Sequence, residues 1–136
     1  MRTEKPVGRT RGIYSVKSND FEEIAKTMIH AMSQGYGGDC PENNFEALLE
    51  AKKNCQECTD FIMVADNYAL PRDPELLKRF QGNLKLVLCG TDYGINPEYL
   101  DLARKYKFSI HTLRSDIEGL MKNHDGESII IDGISY

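Results

Sequence analysis

Phe61-Ile62-Met63-Val64-Ala65-Asp66 is a run of five apolar residues that ends on a carboxylate. An unbroken apolar run of this length, without alternation, is the pattern of a strand buried on both faces, as in a parallel sheet. A strand is therefore expected over 59–66. In open α/β sheets ligands sit outside the carboxyl ends of the strands. Asp66 is placed at that rim.

Moving upstream, Gly37-Gly38-Asp39-Cys40-Pro41-Glu42-Asn43 opens a helix that runs to about Lys53. Pro41 suits a first helical turn and Glu42 complements the helix dipole. Phe45, Leu48 and Leu49 form its inward face. Before that loop, Phe21, Ile24, Ala25, Met28 and Met32 fall at helical spacing, with Ser18, Asn19 or Asp20 as the cap. His30 lies off that stripe. Ile13 to Val16 is a short strand candidate, and residues 1–10 are coil.

Moving downstream, Asn67–Pro74 is a loop with Asp73 as a cap, and Glu75–Phe80 a short helix. Leu84–Cys89 is a second buried strand. Asn96 caps a helix with Pro97 at its first position, faced by Tyr99, Leu100, Ala103 and Tyr106. Phe108–Leu113 is a third strand, and Ser115 caps a helix over Asp116–Lys122. Ser128–Ile131 and Ile134–Tyr136 flank Asp132-Gly133, a hairpin signal. Strands alternating with helices from 43 to 122 predict an α/β layer fold.

Composition bounds the function. The 136 residues are enough for one core. A net charge of −4 argues against a broad nucleic-acid footprint. The basic stretch, Arg2, Lys5, Arg9 and Arg11, reads as a solvated tail over 1–11. Residues 1–12 lack an apolar h-region, and no run approaches the roughly 20 apolar residues of a membrane helix. The expected compartment is the cytosol, so Cys40, Cys55, Cys58 and Cys89 are expected as free thiols. Cys55-x-x-Cys58 alone supplies half the ligands of a structural zinc site, and it lies at a helix end rather than a redox-type helix start.

Asp39, Glu42 and Asp66 are hard oxygen donors suited to Mg²⁺, Mn²⁺ or Ca²⁺. As helix-start, turn and strand-end residues they also have ordinary structural uses. No Ser/His/Asp or Cys/His arrangement, phosphate loop or Gly-x-Gly-x-x-Gly can be built.

At the Gly37–Glu42 loop, followed by Ala47-Leu48, the chain resembles the second metal loop of von Willebrand factor type A domains. It is closest to the hemicentin-like and alpha-kinase-associated branch. Phe61–Asp66 resembles the family's strand ending in its third-loop aspartate, and Leu84–Gly90 the next strand. Asn96–Tyr106 resembles the helix before the family's last strand, and Ser109–Leu113 that strand. The likeness covers about residues 12–122, with 123–136 as an added C-terminal hairpin. It implies a Rossmann-like three-layer sandwich with a metal-ion-dependent adhesion site that binds a protein partner without catalysis. The ligands implied here are Asp39 and Asp66, with Glu42 behind them.

The family's first strand, carrying Asp-x-Ser-x-Ser, has no counterpart in this sequence, and Ile13–Val16 resembles its third, edge strand. The sheet is expected to be incomplete, with Phe61–Ala65 left as an apolar edge. A protein partner or a second copy is then expected to complete the sheet, unless the chain is the C-terminal part of a longer protein, and waters or a partner's carboxylate to fill the metal shell. The alternatives are a metal-assisted hydrolase using Asp39, Glu42 and Asp66, or a purely structural assembly piece.

Overall fold

The computed structural model describes residues 13–34, 43–120 and 126–136. Among these, the chain is a mixed α/β structure with a four-stranded, mostly parallel sheet and a C-terminal antiparallel hairpin. The elements in order are α1 (Phe21–Ser33), α2 (Asn44–Asn54), β1 (Asp60–Asp66), a 3-10 helix (Pro74–Arg79), β2 (Asn83–Cys89), α3 (Pro97–Tyr106), β3 (Ser109–His111), β4 (Asp116–Ile117), β5 (Ile130–Ile131) and β6 (Ile134–Ser135). The sheet order is β1-β2-β3-β4. β1, β2 and β3 run parallel, and β4 is antiparallel to β3.

Helix ends follow from local chemistry. Asp20 caps α1 by accepting from Glu22 N at 2.9 Å. Asn96 caps α3 by accepting from Glu98 N at 3.1 Å, with Pro97 at the first helical position. α2 is capped from a distance. Asp73, expected to cap its own short helix, instead accepts from Phe45 N and Glu46 N across the fold. The segment it was expected to cap is the 3-10 helix, which is wound more tightly than an α-helix.

The core lies on one face of the sheet. Phe61 of β1, Leu84, Leu86 and Leu88 of β2, Ile110 of β3 and Ile117 of β4 point into it. Phe45 and Leu48 of α2, Leu77 of the 3-10 helix, and Tyr99, Leu102 and Ala103 of α3 cover it. Tyr99 is also tied by polar contacts, its hydroxyl donating to Ala69 O at 2.9 Å and accepting from Asn44 Nδ2 at 2.9 Å.

The opposite face corrects the first expectation. Ile62 is 72% and Val64 66% exposed, so β1 is buried on one face only, despite its continuous apolar run. The strand is apolar on both faces, but the described helices cover only one. α1 does not supply the second layer: none of its residues is buried, and Phe21, Met28 and Met32 are exposed. His30 is exposed as expected and meets the Tyr14 ring edge-on, centroids 5.4 Å apart.

Three further expectations are overturned. Ile13–Val16 is coil, held near the end of α2 by Asn54 Nδ2 donating to Ser15 Oγ and by Lys17 pairing with Glu57. The Asp116–Lys122 helix does not form over 116–119: Asp116–Ile117 is strand β4. Thr112 Oγ1 accepts from Arg114 N and Ser115 N and turns the chain, so β3 pairing replaces helical bonding. Cys55 and Cys58 form a disulfide rather than free thiols. The helix ends at Cys55, and a turn in which Cys58 N donates to Cys55 O brings the two Cα atoms to 5.3 Å. Cys89 is free and exposed.

The hairpin forms as expected. Asp132 and Gly133 have φ of 50° and 81°, the doubly positive turn that matches strand twist. Tyr136 anchors it by accepting from Ile95 N at 2.6 Å through its hydroxyl. Ser115 Oγ donates to Asp132.

Candidate binding rim and sheet edge

β1 ends at the carboxyl rim of the parallel strands, and Asp66 stands there, opposite Cys89 of β2 in register. Its Oδ1 accepts from Tyr68 N at 3.0 Å, closing a turn over the strand end. Gly90 lies beneath. A side chain there would meet the Tyr68 ring at 3.3 Å, and its φ of +76° favours glycine.

Next to Asp66, buried Asn67 locks the rim. Its Nδ2 donates to Gly94 O at 2.9 Å and to Gly90 O at 3.3 Å, and its Oδ1 accepts from Asn96 N at 2.8 Å. Asn96 Nδ2 returns a bond to Asn67 O. These amides are spent on holding the β1 and β2 loops together. They form the floor of a shallow crevice of about 290 Å³, walled by Tyr68, Tyr93 and Tyr136. Tyr93 is 91% exposed.

Of the three expected metal ligands, only Asp66 falls among the described residues. Asp39 and Glu42 lie outside them. No group of three or more His, Cys, Asp and Glu residues that could hold a metal ion occurs among the described residues. Asp66 already spends one oxygen on Tyr68 N. Among the described residues, the donor set does not by itself fit a divalent ion.

The free edge of the sheet is defined more fully. β1 is the outermost strand, with no described strand on its outer side. Thr59 O accepts from Asn83 N, and Asn67 N donates to Cys89 O. Alternation along the strand then turns the N–H and C=O groups of Asp60, Ile62, Val64 and Asp66 outward. Their side chains share the open face. The exposed edge therefore carries two acids, six residues apart, around two β-branched residues. Asp60 accepts from Thr59 Oγ1 at 2.8 Å and Asn83 Nδ2 at 3.2 Å. The Thr59 bond first, then the Asn83 bond, lowers its pKa below the ordinary carboxylate value.

Two constellations escaped sequence reasoning. Asp73 and Glu46 are both buried, and Asp73 Oδ2 accepts from Glu46 N at 2.7 Å. Their sequence separation leaves no local signal. The second is a Ser/His/Asp array. Ser109 Oγ lies 2.7 Å from His111 Nε2, and His111 Nδ1 lies 2.7 Å from Asp116 Oδ1. With the carboxylate accepting from Nδ1–H, Nε2 accepts from the serine hydroxyl. The i, i+2 spacing of Ser109 and His111 is legible in the sequence, but Asp116 lies in a stretch that reads as helical. The array lies on the open face, and the backbone of β3 is paired to β2 on one side and β4 on the other. Amides spent in ladders cannot stabilise an oxyanion. The array acts as a polar bridge between β3 and β4.

Compared with known proteins, the chain matches no family model, no curated protein and no solved structure. No described helix is long and apolar enough to cross a membrane.

Proposed function

We propose that this chain is a protein–protein interaction module of von Willebrand A type, whose sheet is completed across β1 by another polypeptide. One observation carries the reading: β1 is an edge strand whose open face exposes Ile62 and Val64. Unpaired backbone groups along an apolar edge are a template for strand addition. Main-chain bonds would supply affinity, and the side chains on the open face selectivity. The exposed Tyr68 and Tyr93 at the adjoining rim suit such an interface, since tyrosine is enriched in interfaces relative to the rest of the surface.

Hydrogen exchange tests the reading, on the chain alone and on the complex recovered with it from its native source. The outward amides of Ile62 and Val64 should be protected in the complex, and the complex should be lost in Ile62→Lys/Val64→Lys. Protection elsewhere with β1 still exchanging freely would sink the reading.

The divalent ion belongs to this proposal through Asp39, Glu42 and Asp66. Calorimetric titration of Mg²⁺ into the protein and into Asp66→Ala reads it directly. Heat lost in the variant supports an ion at the rim, and equal heats place any ion elsewhere.

A further inference from the structure

We infer that the segment completing β1 is Arg11–Lys17 of a second copy of this chain, added as an extra strand. The inference rests on the proposed strand addition and names its occupant. The edge presents Asp60-x-Ile62-x-Val64-x-Asp66, with all four side chains on the open face. The N-terminal segment reads Arg11-x-Ile13-x-Ser15-x-Lys17. Cations stand six residues apart in one and anions six apart in the other, with shorter side chains between. Period-2 alternation brings all four positions of each set to one face.

Laid beside β1 with Arg11 and Lys17 at its two ends, the segment pairs each cation with an aspartate in either strand direction. Ile13 and Ser15 then fall beside Ile62 and Val64. Opposite charges directly across a strand pair favour that register, and a one-residue slip turns both cations to the other face. Gly12, Tyr14 and Val16 take the side of Met63.

Charge complementarity supports this occupant over an arbitrary strand. The bonds to Thr59 and Asn83 lower the Asp60 pKa and favour its ionised form. The donor segment is also cheap to release. Ile13–Val16 makes no strand pairing, and Tyr14 and Val16 are exposed. Its described side-chain tethers are Asn54 to Ser15 at 3.3 Å, the exposed Lys17–Glu57 pair, and the Tyr14–His30 ring contact. Reciprocal exchange between two copies closes a twofold dimer.

Sedimentation velocity on the full chain, with hydrogen exchange on the same samples, tests this. Wild type should form a dimer with protected Ile62 and Val64 amides. Asp60→Lys/Asp66→Lys, and separately Arg11→Asp/Lys17→Asp, should each weaken association by about tenfold or more. Mixing the two variants should restore it, because each edge then meets a segment of opposite charge. A wild-type monomer at high concentration would overturn the inference, whether or not its β1 amides are protected. So would a dimer insensitive to all four charge changes. If that dimer is nonetheless lost in Ile62→Lys/Val64→Lys, the edge is in use with a different occupant, and the broader proposal stands.

Discussion

Asp73 caps helix α2 from 27 residues away: its Oδ2 accepts from Glu46 N at 2.7 Å while its Oδ1 accepts from Phe45 N at 3.2 Å. One buried carboxylate thus satisfies two of the orphan donors at a helix start and ties the β1 exit loop to α2. Asp73→Ala leaves both donors buried without a partner. The expected loss is about 1–3 kcal/mol. Urea denaturation should show a lower midpoint at unchanged slope. Asp73→Asn keeps one acceptor oxygen and should fall between.

The two faces of the sheet should respond oppositely to substitution. Leu86 is fully buried, and Leu86→Ala should cost about 2–5 kcal/mol through lost burial and a residual cavity. Ile62→Lys alters a residue that is 72% exposed, and should leave the unfolding free energy within about 0.5 kcal/mol of wild type. A large loss at Ile62 in dilute monomer would mean that the open face is covered within the chain.

Acid should loosen the Lys17 anchor. The hydrogen bond from Lys17 is the main cause lowering the Glu57 pKa, followed by a backbone N–H and the Lys17 charge. A carboxylate lowered on folding contributes stability above its unfolded pKa and loses it as pH falls through the folded one. The contribution of Glu57, like that of Asp60, should therefore be intact above about pH 5 and decline below it. In NMR titration, Lys17→Ala should return the Glu57 midpoint upward, toward the ordinary carboxylate value. An unchanged midpoint would show that the pair does not persist in solution.

Reduction of Cys55–Cys58 should have a limited effect. The bridge closes a sequence separation of only 3. Chain-entropy reasoning assigns so short a loop about 2 kcal/mol at most. Thermal unfolding with and without dithiothreitol should show a single cooperative transition in both, shifted down on reduction. Loss of cooperativity would mean that the bridge organises α2 and β1 beyond this local turn.

Ser109 should resist a fluorophosphonate probe despite its bond to His111. The paired backbone of β3 offers the tetrahedral adduct no oxyanion donors. Mass spectrometry showing Ser109 labelled in wild type and unlabelled in His111→Ala would instead show a nucleophilic serine activated by His111. His111→Phe should instead register as faster hydrogen exchange in β4, because it removes the side-chain bridge to Asp116.

What the sequence determined by itself was local. Asp20 and Asn96 are caps, Pro97 starts a helix, Asp132-Gly133 turns a hairpin, and Asp60–Asp66 and Asn83–Cys89 are strands. Each depends on a residue's own conformational preference or on near-neighbour hydrogen bonds. The rim position of Asp66 followed from strand order and was equally legible.

Tertiary structure alone decided the rest. An apolar run shows which strand faces can be buried, and only the neighbouring layers decide which of them are. Phe61 is therefore core, while Ile62 faces solvent. Asp116–Ile117 has a helix-compatible sequence, yet it pairs with β3 because Thr112 turns the chain back. Asp73 serves α2 rather than its own segment because β1 and its exit loop carry it there. In each case a long-range contact outweighed a local preference of the same order, about 1 kcal/mol or less per residue.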